Sequence, residues 1–448
     1  MNRVDQLLQQ AIAQRASGYP RAAIDLCLKA IDLDRQRWDL YCELADALQD
    51  TGDLDQADRC YAAAHKLAPN QLVPIIGAAA VAERRGDLEQ AKRLTAPLVG
   101  LPNAPAPALA VWGEACRRLG ESADVVPVLS HAVAQPRADA ELAALHHTLA
   151  KALNTLGRHS EAFEQYSAAN SCLGQRYDPR EDSAVVERLT QVPSLGPLHA
   201  VSLDATPVLI VGFMRSGSTV LEQALGRHSE IATCGEHEVL VAISDQVPRQ
   251  FGFTEAWPEA TSRFSAEQTH QAAALYIREM LAVGGEAGAT FVTDKTLVNV
   301  RLLELAARLF PKLKVIHCVR DPLDTCLSCF TTQFSASHGY TTQLGWLGHA
   351  FLLYQKMMAH HQAVSTADIY TVSYEQLVTS PENELKGVVE FLGLSWEEAC
   401  LHPEENPRIA NTASYAQVRD PFHGNAIGKS EDYLEMLQPL REILDKGL

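Results

Sequence analysis

Small apolar residues recur along the first third of the chain with a fixed period. Gly18, Gly52, Gly86 and Gly120 lie 34 residues apart, and Gly157 follows after 37. Seven positions before these glycines stand Ala11, Ala45, Ala79, Gly113 and Ala150; five positions after them stand Ala23, Ala57, Ala91, Val125 and Ala162. Twelve positions after come Ala30, Ala64, Leu98, Ala132 and Ala169. The pattern predicts pairs of helices joined by tight turns. Glycine permits the turn, small residues on the facing sides let two helix axes approach closely, and larger ones such as Leu44, Tyr61 and Tyr166 fill the layer between repeats. After residue 205 the pattern changes. Pro207–Val211 is a short β-branched run that reads as a buried strand, and Leu313–Val319 is a second one. Val220–Leu225 reads as a helix, and Asp321-Pro322 suits the start of another. The expected organisation is a repeat array over 1–175, a linker with one short helix over 176–204, and an α/β domain with a parallel sheet over 205–448. The linker helix is expected from Ser183 to Val192, broken by Pro193, Gly196 and Pro197.

The array resembles the tetratricopeptide repeat over roughly residues 3–172, since three positions recur in register with a 34-residue period. The resemblance implies an all-α array with a concave surface for a peptide or protein partner. A buttress for the second domain, or a self-association surface, is the alternative.

The chain has 448 residues, 47% hydrophobic and 21% charged, which excludes a mostly disordered protein. No run approaches the ~20 apolar residues of a membrane helix. MNRVDQLLQQ at the N-terminus is not an apolar signal segment, so the expected compartment is the cytoplasm. With 38 basic and 55 acidic side chains the net charge is −17, which argues against general nucleic-acid binding. Residues 1–175 carry 17 basic and 21 acidic side chains, a net of −4, leaving −13 in the remainder. An anion site there must therefore be built locally from a few aimed groups. The 10 cysteines read as free, mostly buried thiols. Cys326 and Cys329 form the lone C-x-x-C and lack a second pair at zinc-ligand spacing. His360 and His361 are adjacent on a helix and face different directions, so no metal is expected there either, and Met357 and Met358 read as core.

Strand, glycine-containing loop and helix follow one another at Pro207–Leu225, the layout of a phosphate cradle whose backbone N–H groups point at one anion. Gly212 and Gly217 have the spacing of a Walker A loop, but Ser218 stands where its lysine would be. Arg215 sits inside the loop with Ser216, Ser218 and Thr219. Arg320 at the end of the second strand and Ser328 about two turns into the following helix can grip a second phosphate, arginine supplying a planar and permanently charged fork.

GFMRSGST (212–219) and CVRDPLDTCLS (318–328) resemble the 5′-phosphosulfate loop and 3′-phosphate motif of sulfotransferases that use 3′-phosphoadenosine 5′-phosphosulfate (PAPS). The branch it looks like is the tyrosylprotein sulfotransferase-like one, over roughly residues 205–448. Gly235-Glu236, Asp294-Lys295 and Tyr374-Glu375-Gln376-Leu377 match further pieces of that pattern. The resemblance implies an enzyme moving a sulfonyl group from PAPS, without a metal, to an acceptor hydroxyl, with a tyrosine of a peptide or protein as one candidate. It gives Ser216, Gly217, Ser218, Thr219 and Arg215 to the 5′-phosphosulfate and Arg320 and Ser328 to the 3′-phosphate. Arg215 and Lys295 would stabilise the moving sulfonyl group. Glu236 is the favoured general base, with His237 as the alternative. Tyr374 would lie near the adenine, and Ser414, Arg419 and Lys429 near the phosphates. Thr332 departs from the pattern, since the eukaryotic enzymes have an arginine there. An inactive PAPS-binding scaffold and a P-loop kinase or triphosphatase are the other readings.

Overall fold

The computed structural model describes residues 2–193, 204–284, 288–406 and 421–448. They divide into two units, Met1–Gln175 and Arg176–Leu448.

The first unit is five helix pairs, running from Arg3–Ala16 and Pro20–Leu33 to Asp139–Thr155 and His159–Cys172. The five periodic glycines turn with φ between 72° and 86°, a left-handed conformation that costs a residue with a Cβ roughly 1 kcal/mol or more. The small residues at the recurring positions are buried, including Ala11, Ala23, Ala45, Ala57, Ala79, Ala91, Ala150 and Ala162. Leu44, Tyr61 and Tyr166 are buried between layers as the pattern requires. The helices Leu54–Leu67 and Leu88–Val99 begin on aspartate caps, Asp53 accepting from the Gln56 N–H and Asp87 from the Gln90 N–H. Ion pairs also join residues of different repeats, as in Arg15 with the buried Glu43 at 2.7 Å and Arg118 with Glu83 at 2.6 Å.

The second unit holds a five-stranded parallel sheet of β1 (Thr206–Gly212), β2 (Ile231–Thr233), β3 (Phe291–Asp294), β4 (Lys314–Val319) and β5 (Asp368–Ser373), in the order β2-β3-β1-β4-β5. Both faces are covered, so β1 reads as an unbroken apolar run and not an alternation. Leu209 and Val211 pack with residues of the helices Ala266–Gly284 and Leu344–Val364. Val208 and Ile210 pack with residues of Ser218–Leu225 and Pro381–Leu392. Each such side chain contributes roughly 1.5–3 kcal/mol by leaving water. β1 is central, with β3 and then β2 on one side and β4 and then β5 on the other, so the crevice of this sheet opens beyond the C-terminal end of β1.

Residues 176–193 are not a free linker. The helix spans Pro179–Leu189, and Val186, Leu189 and Val192 are buried in the core of the second unit. The segment's polarity suggested a joint, but its apolar residues occupy one helical face and are covered. Residues 194–203, where the helix-breaking Gly196 and Pro197 fall, lie outside the described set. All 10 cysteines are unpaired, with Cys326 and Cys329 fully buried. Among the described residues no helix is long and apolar enough to cross a membrane, and no cluster of three His, Cys, Asp or Glu side chains could hold a metal ion. Met357, Met358 and His361 are buried, and His361 Nε2 donates to the Val300 carbonyl at 2.8 Å.

His317 lies inside β4, 6% exposed, with Nε2 2.6 Å from the Tyr354 hydroxyl. Burial pushes its pKa down to about 4. The unfolded chain takes up this proton near pH ~6.5, so stability should fall as pH drops from there to about 4. His317→Gln should remove roughly 2–3 kcal/mol of that acid loss, read as a shallower fall in urea-unfolding free energy across the window. An unchanged slope would mean that His317 does not govern it.

Candidate active site

The loop after β1 turns sharply. Arg215 has φ 68° and Gly217 φ 95°, and Ser216 N–H donates to the Phe213 carbonyl at 3.2 Å. A left-handed arginine is strained, and such strain is tolerated where the surroundings fix it. The turn leads directly into the helix Ser218–Leu225. Ser216, Ser218 and Thr219 are all buried, and the Ser216 Oγ has no hydrogen-bond partner among the described residues.

Two guanidinium groups meet at this loop. Arg215 Nε donates to Ser328 Oγ at 2.9 Å. Arg320 donates to the Arg215 carbonyl at 3.1 Å and the Ala426 carbonyl at 2.6 Å, with Asp324 at 3.8 Å. The Arg320 Nε is buried without a partner among the described residues. Burial holds the Arg215 pKa below its ordinary value, and the neighbouring charge of Arg320 adds to the effect. Tyr374 supports both elements. Its ring lies 4.7 Å from the Arg320 guanidinium, and a Cβ on Gly217 would come within 2.5 Å of its Cδ2.

Glu375 fixes the second motif from the end of β5. It accepts from the Asp321 N–H at 2.9 Å and from Ser373 Oγ at 2.8 Å. Asp321 in turn caps the helix Pro322–Phe330 by accepting from the Asp324 N–H. Asp324 holds the C-terminal stretch of the chain: its two oxygens accept from the Gly428 and Ser430 N–H groups, each at 2.7 Å. Lys429, between those two residues, is exposed. Thr332 bonds only within its own turn among the contacts resolved, Oγ1 donating to the Ser328 carbonyl at 2.7 Å. Ser414 and Arg419 lie outside the described residues.

On the β2–β3 side, Lys295 Nζ donates to Glu236 Oε1 at 2.6 Å. The lysine side chain is 1% exposed and the glutamate 52% exposed. A second layer sets this geometry. Glu222 Oε1 accepts from the Gly235 N–H at 2.8 Å and from Thr293 Oγ1 at 2.9 Å. The Lys295 N–H donates to the Gly235 carbonyl at 2.8 Å. The His237 N–H donates to Thr296 Oγ1 at 2.7 Å, and Thr296 Oγ1 donates to the His237 carbonyl at 3.1 Å. Asp294, fully buried, accepts from the Thr296 N–H, Asn299 Nδ2 and Tyr276 Oη at 2.8–2.9 Å. Burial raises its pKa to about 6 against the pull of those donors.

The structure thus brings Arg215, Ser216, Gly217, Arg320, Ser328 and Tyr374 together at the loop, and Glu236 with Lys295 beside β3. It also gives work to residues that the motifs left without a role. Glu222 lies outside the quoted motifs, while Asp324 and Glu375 lie inside them, and each accepts from a backbone N–H distant in sequence that no local spacing marks. His338, on the turn Ala336–Thr342, is the other addition. Burial lowers its pKa, and the Glu236 carboxylate pulls it the other way. Its ring stands 5.7 Å from that of Phe334 and 6.1 Å from that of Tyr340.

Residues 207–398 match the sulfotransferase family, and residues 39–71 match the tetratricopeptide repeat. The chain therefore carries a sulfotransferase-family domain behind a tetratricopeptide repeat array. An uncharacterised protein of Aquifex aeolicus is 28% identical over 81% of this chain and 49% of its own length. Protein-tyrosine sulfotransferase 2 of Gallus gallus is 28% identical over 49% of this chain and 59% of its own. The chain spans about half to three fifths of the length of these curated relatives. Among solved structures, the sulfotransferase domain of the Synechococcus PCC 7002 olefin synthase is similar at 19% identity and a TM-score of 0.39, covering 55% of this chain and 97% of that one. A thermophilic tetratricopeptide repeat protein of Thermus thermophilus is similar at 22% identity and a TM-score of 0.34, covering 37% of this chain and 89% of that one.

Gly217→Ala should cost about 1–2 kcal/mol from the left-handed backbone alone, and more from displacing Tyr374. Gly100→Ala, with φ −78° and open space around it, is the control and should be nearly neutral. Urea unfolding of both variants checks this; a loss of only about 1–2 kcal/mol would show that Tyr374 yields freely, and equal stabilities would refute the backbone cost as well.

Proposed function

We propose that the second unit is a PAPS-dependent sulfotransferase acting on an acceptor hydroxyl. The observation that carries the reading is the meeting of Arg215 and Arg320 at one loop. Two buried cations lie side by side there, and Asp324, the carboxylate beside Arg320, is also engaged by two backbone N–H groups. Such a site calls for a dianionic or polyanionic ligand. Ser216 Oγ and Arg320 Nε, buried without a hydrogen-bond partner among the described residues, supply hydrogen-bond capacity for it, so the residues present fit a nucleotide with two separate phosphate groups. The absent lysine at Ser218 disfavours a triphosphate.

PAPS supplies the activated sulfonyl group. The loop N–H groups, Ser216, Ser218 and Thr219 bind its 5′ side, and Arg320 and Ser328 its 3′-phosphate. Tyr374 offers a flat face beside Gly217 for the base. Arg215 and Lys295 place positive charge where oxygens gain negative charge during transfer, an effect worth roughly 3–4 kcal/mol of barrier per group. Glu236 takes the acceptor's proton at its free carboxylate oxygen, which contributes ~10²–10⁴ in rate. Its half-exposed position leaves room for an incoming hydroxyl, while Lys295 fixes its other oxygen. His237 is the weaker candidate, because its backbone is clamped on both sides by Thr296. The named activity of the Gallus gallus relative makes a tyrosine of a peptide or protein the first acceptor to try, and the repeat array is a natural surface for such a partner.

Adenosine 3′,5′-bisphosphate should raise the melting temperature far more than ATP, by an amount equivalent to about 2.7 kcal/mol at ~100 times its Kd. Arg320→Ala should remove that preference. Equal shifts with ATP would favour a kinase or triphosphatase.

Glu236→Gln should lower kcat by ~10²–10⁴ with the bisphosphate Kd nearly unchanged, whereas Lys295→Ala should lower kcat and also weaken nucleotide binding. Turnover of radiolabelled PAPS onto a tyrosine peptide, with calorimetric Kd values, separates these effects. Bisphosphate binding without transfer to any acceptor would make the unit a scaffold, and a dead His237→Gln beside an active Glu236→Gln would move the base by one residue.

A further inference from the structure

The segment Arg176–Ser183 precedes the family-matched domain, and among the described residues its hydrogen bonds, ion pairs and ring contacts go to other groups than those assigned to the nucleotide. It nevertheless packs on two turns of the site. The Arg176 carbonyl oxygen lies 2.2 Å from where a Cβ on Gly339 would be, so backbone presses on backbone next to His338. The Tyr177 ring stands 5.9 Å from Tyr340, 6.1 Å from Trp346 and 5.9 Å from His349. Tyr340 in turn packs 6.0 Å from Phe213, which leads into the phosphate loop.

A polar chain locks this packing. Ser183 Oγ is 3.0 Å from His349 Nε2, His349 Nδ1 is 2.8 Å from Tyr177 Oη, and Tyr177 Oη donates to Asp182 at 3.0 Å. All three bonds are satisfied when the hydroxyl of Ser183 donates to Nε2 and the Nδ1–H donates to Tyr177. Asp182 also accepts from Arg301 at 2.5 Å. Arg301 belongs to the turn Leu297–Leu302, which follows Lys295 closely in sequence. Through Tyr177, Asp182 therefore ties the turn after Lys295 to the turn that holds Tyr340 and His338.

We infer that Arg176–Ser183 is a positioning strut for the acceptor side of the site: it holds the Ala336–Thr342 turn and the Leu297–Leu302 turn at a fixed spacing around Glu236, and so sets acceptor affinity without contributing to nucleotide affinity. The inference rests on the reading of Glu236 as the group that faces the acceptor. Tyr177, Asp182 and His349 act through the turns they hold and are not catalytic residues.

The test uses the full chain with Tyr177→Ala, Asp182→Asn and the conservative Tyr177→Phe. Hydrogen–deuterium exchange should speed up ~10-fold or more over 336–342 in Tyr177→Ala and Asp182→Asn, with residues 215–219, beyond Phe213, unaffected. With 4-nitrophenol as acceptor probe, KM for the phenol should rise ~10-fold while the bisphosphate Kd stays within about twofold. Tyr177→Phe, which keeps the ring against Tyr340, should recover most of the loss. Unchanged exchange over 336–342, or a nucleotide Kd that weakens in step with the phenol KM, overturns the strut. If Tyr177→Ala does not fold, Asp182→Asn decides by the same two measurements. If the unmodified chain neither binds the bisphosphate nor transfers to 4-nitrophenol, the sulfotransfer reading fails, and the exchange pattern alone then decides whether the segment holds the turns.

Discussion

The second unit is organised around the cost of holding Arg215 and Arg320 side by side at the end of a buried strand. Neither can neutralise itself by losing a proton at ordinary pH, so each must be solvated by the protein or by a ligand. The structure uses neutral oxygens for much of this: the Arg215 carbonyl and the Ala426 carbonyl accept from Arg320, and Ser328 accepts from Arg215. Asp324 is shared between Arg320 and two backbone N–H groups, so its charge is only partly available to the arginine. Two arginines are thus gathered at one loop within a unit whose net charge is −13.

The acidic excess is not a uniform field at this site. Several carboxylates are turned inward as anchors for loop backbone. Glu222 holds Gly235, Asp294 holds Thr296, and Glu375 holds Asp321. A carboxylate accepting two or three donors fixes a loop more firmly than a neutral acceptor would, because charge-assisted bonds are stronger. These anchors set the 2.6 Å approach of Lys295 to Glu236 and the start of the helix that presents Ser328.

In the array a different constraint dominates. Its helices approach closely because alanine stands at most of the recurring facing positions, with Val125 and Leu98 as larger members. The tightest of those positions is Gly113, where a Cβ would meet the Thr148 methyl at 2.8 Å. Even the smallest side chain is too large there without a shift, and the period substitutes glycine for alanine at that repeat.

The 34-residue glycine period determined the array without tertiary information, because each repeat contacts its neighbours and the packing constraint is written at fixed offsets. The apolar runs of β1 and β4 and the loop and helix after each were legible for a similar reason: strand, turn and cap chemistry are local. Arg215, Ser216, Gly217, Arg320 and Ser328 could be picked out because they lie inside those local motifs. The closeness of Glu236 to Lys295, across 59 residues of chain, depended on parallel pairing of β2 with β3. Asp324 acquires its backbone partners only when Gly428 and Ser430 return to the helix Pro322–Phe330, and Glu375 only when β5 lies beside β4. Residues 176–193 read as a linker because their polar side chains look solvated in sequence. Tyr177, Asp182 and Ser183 are instead engaged with Arg301 and His349, more than a hundred residues away. Those pairings follow from how the helices Pro179–Leu189 and Leu344–Val364 and the turn Leu297–Leu302 pack together, and a one-dimensional pattern carries no record of that packing.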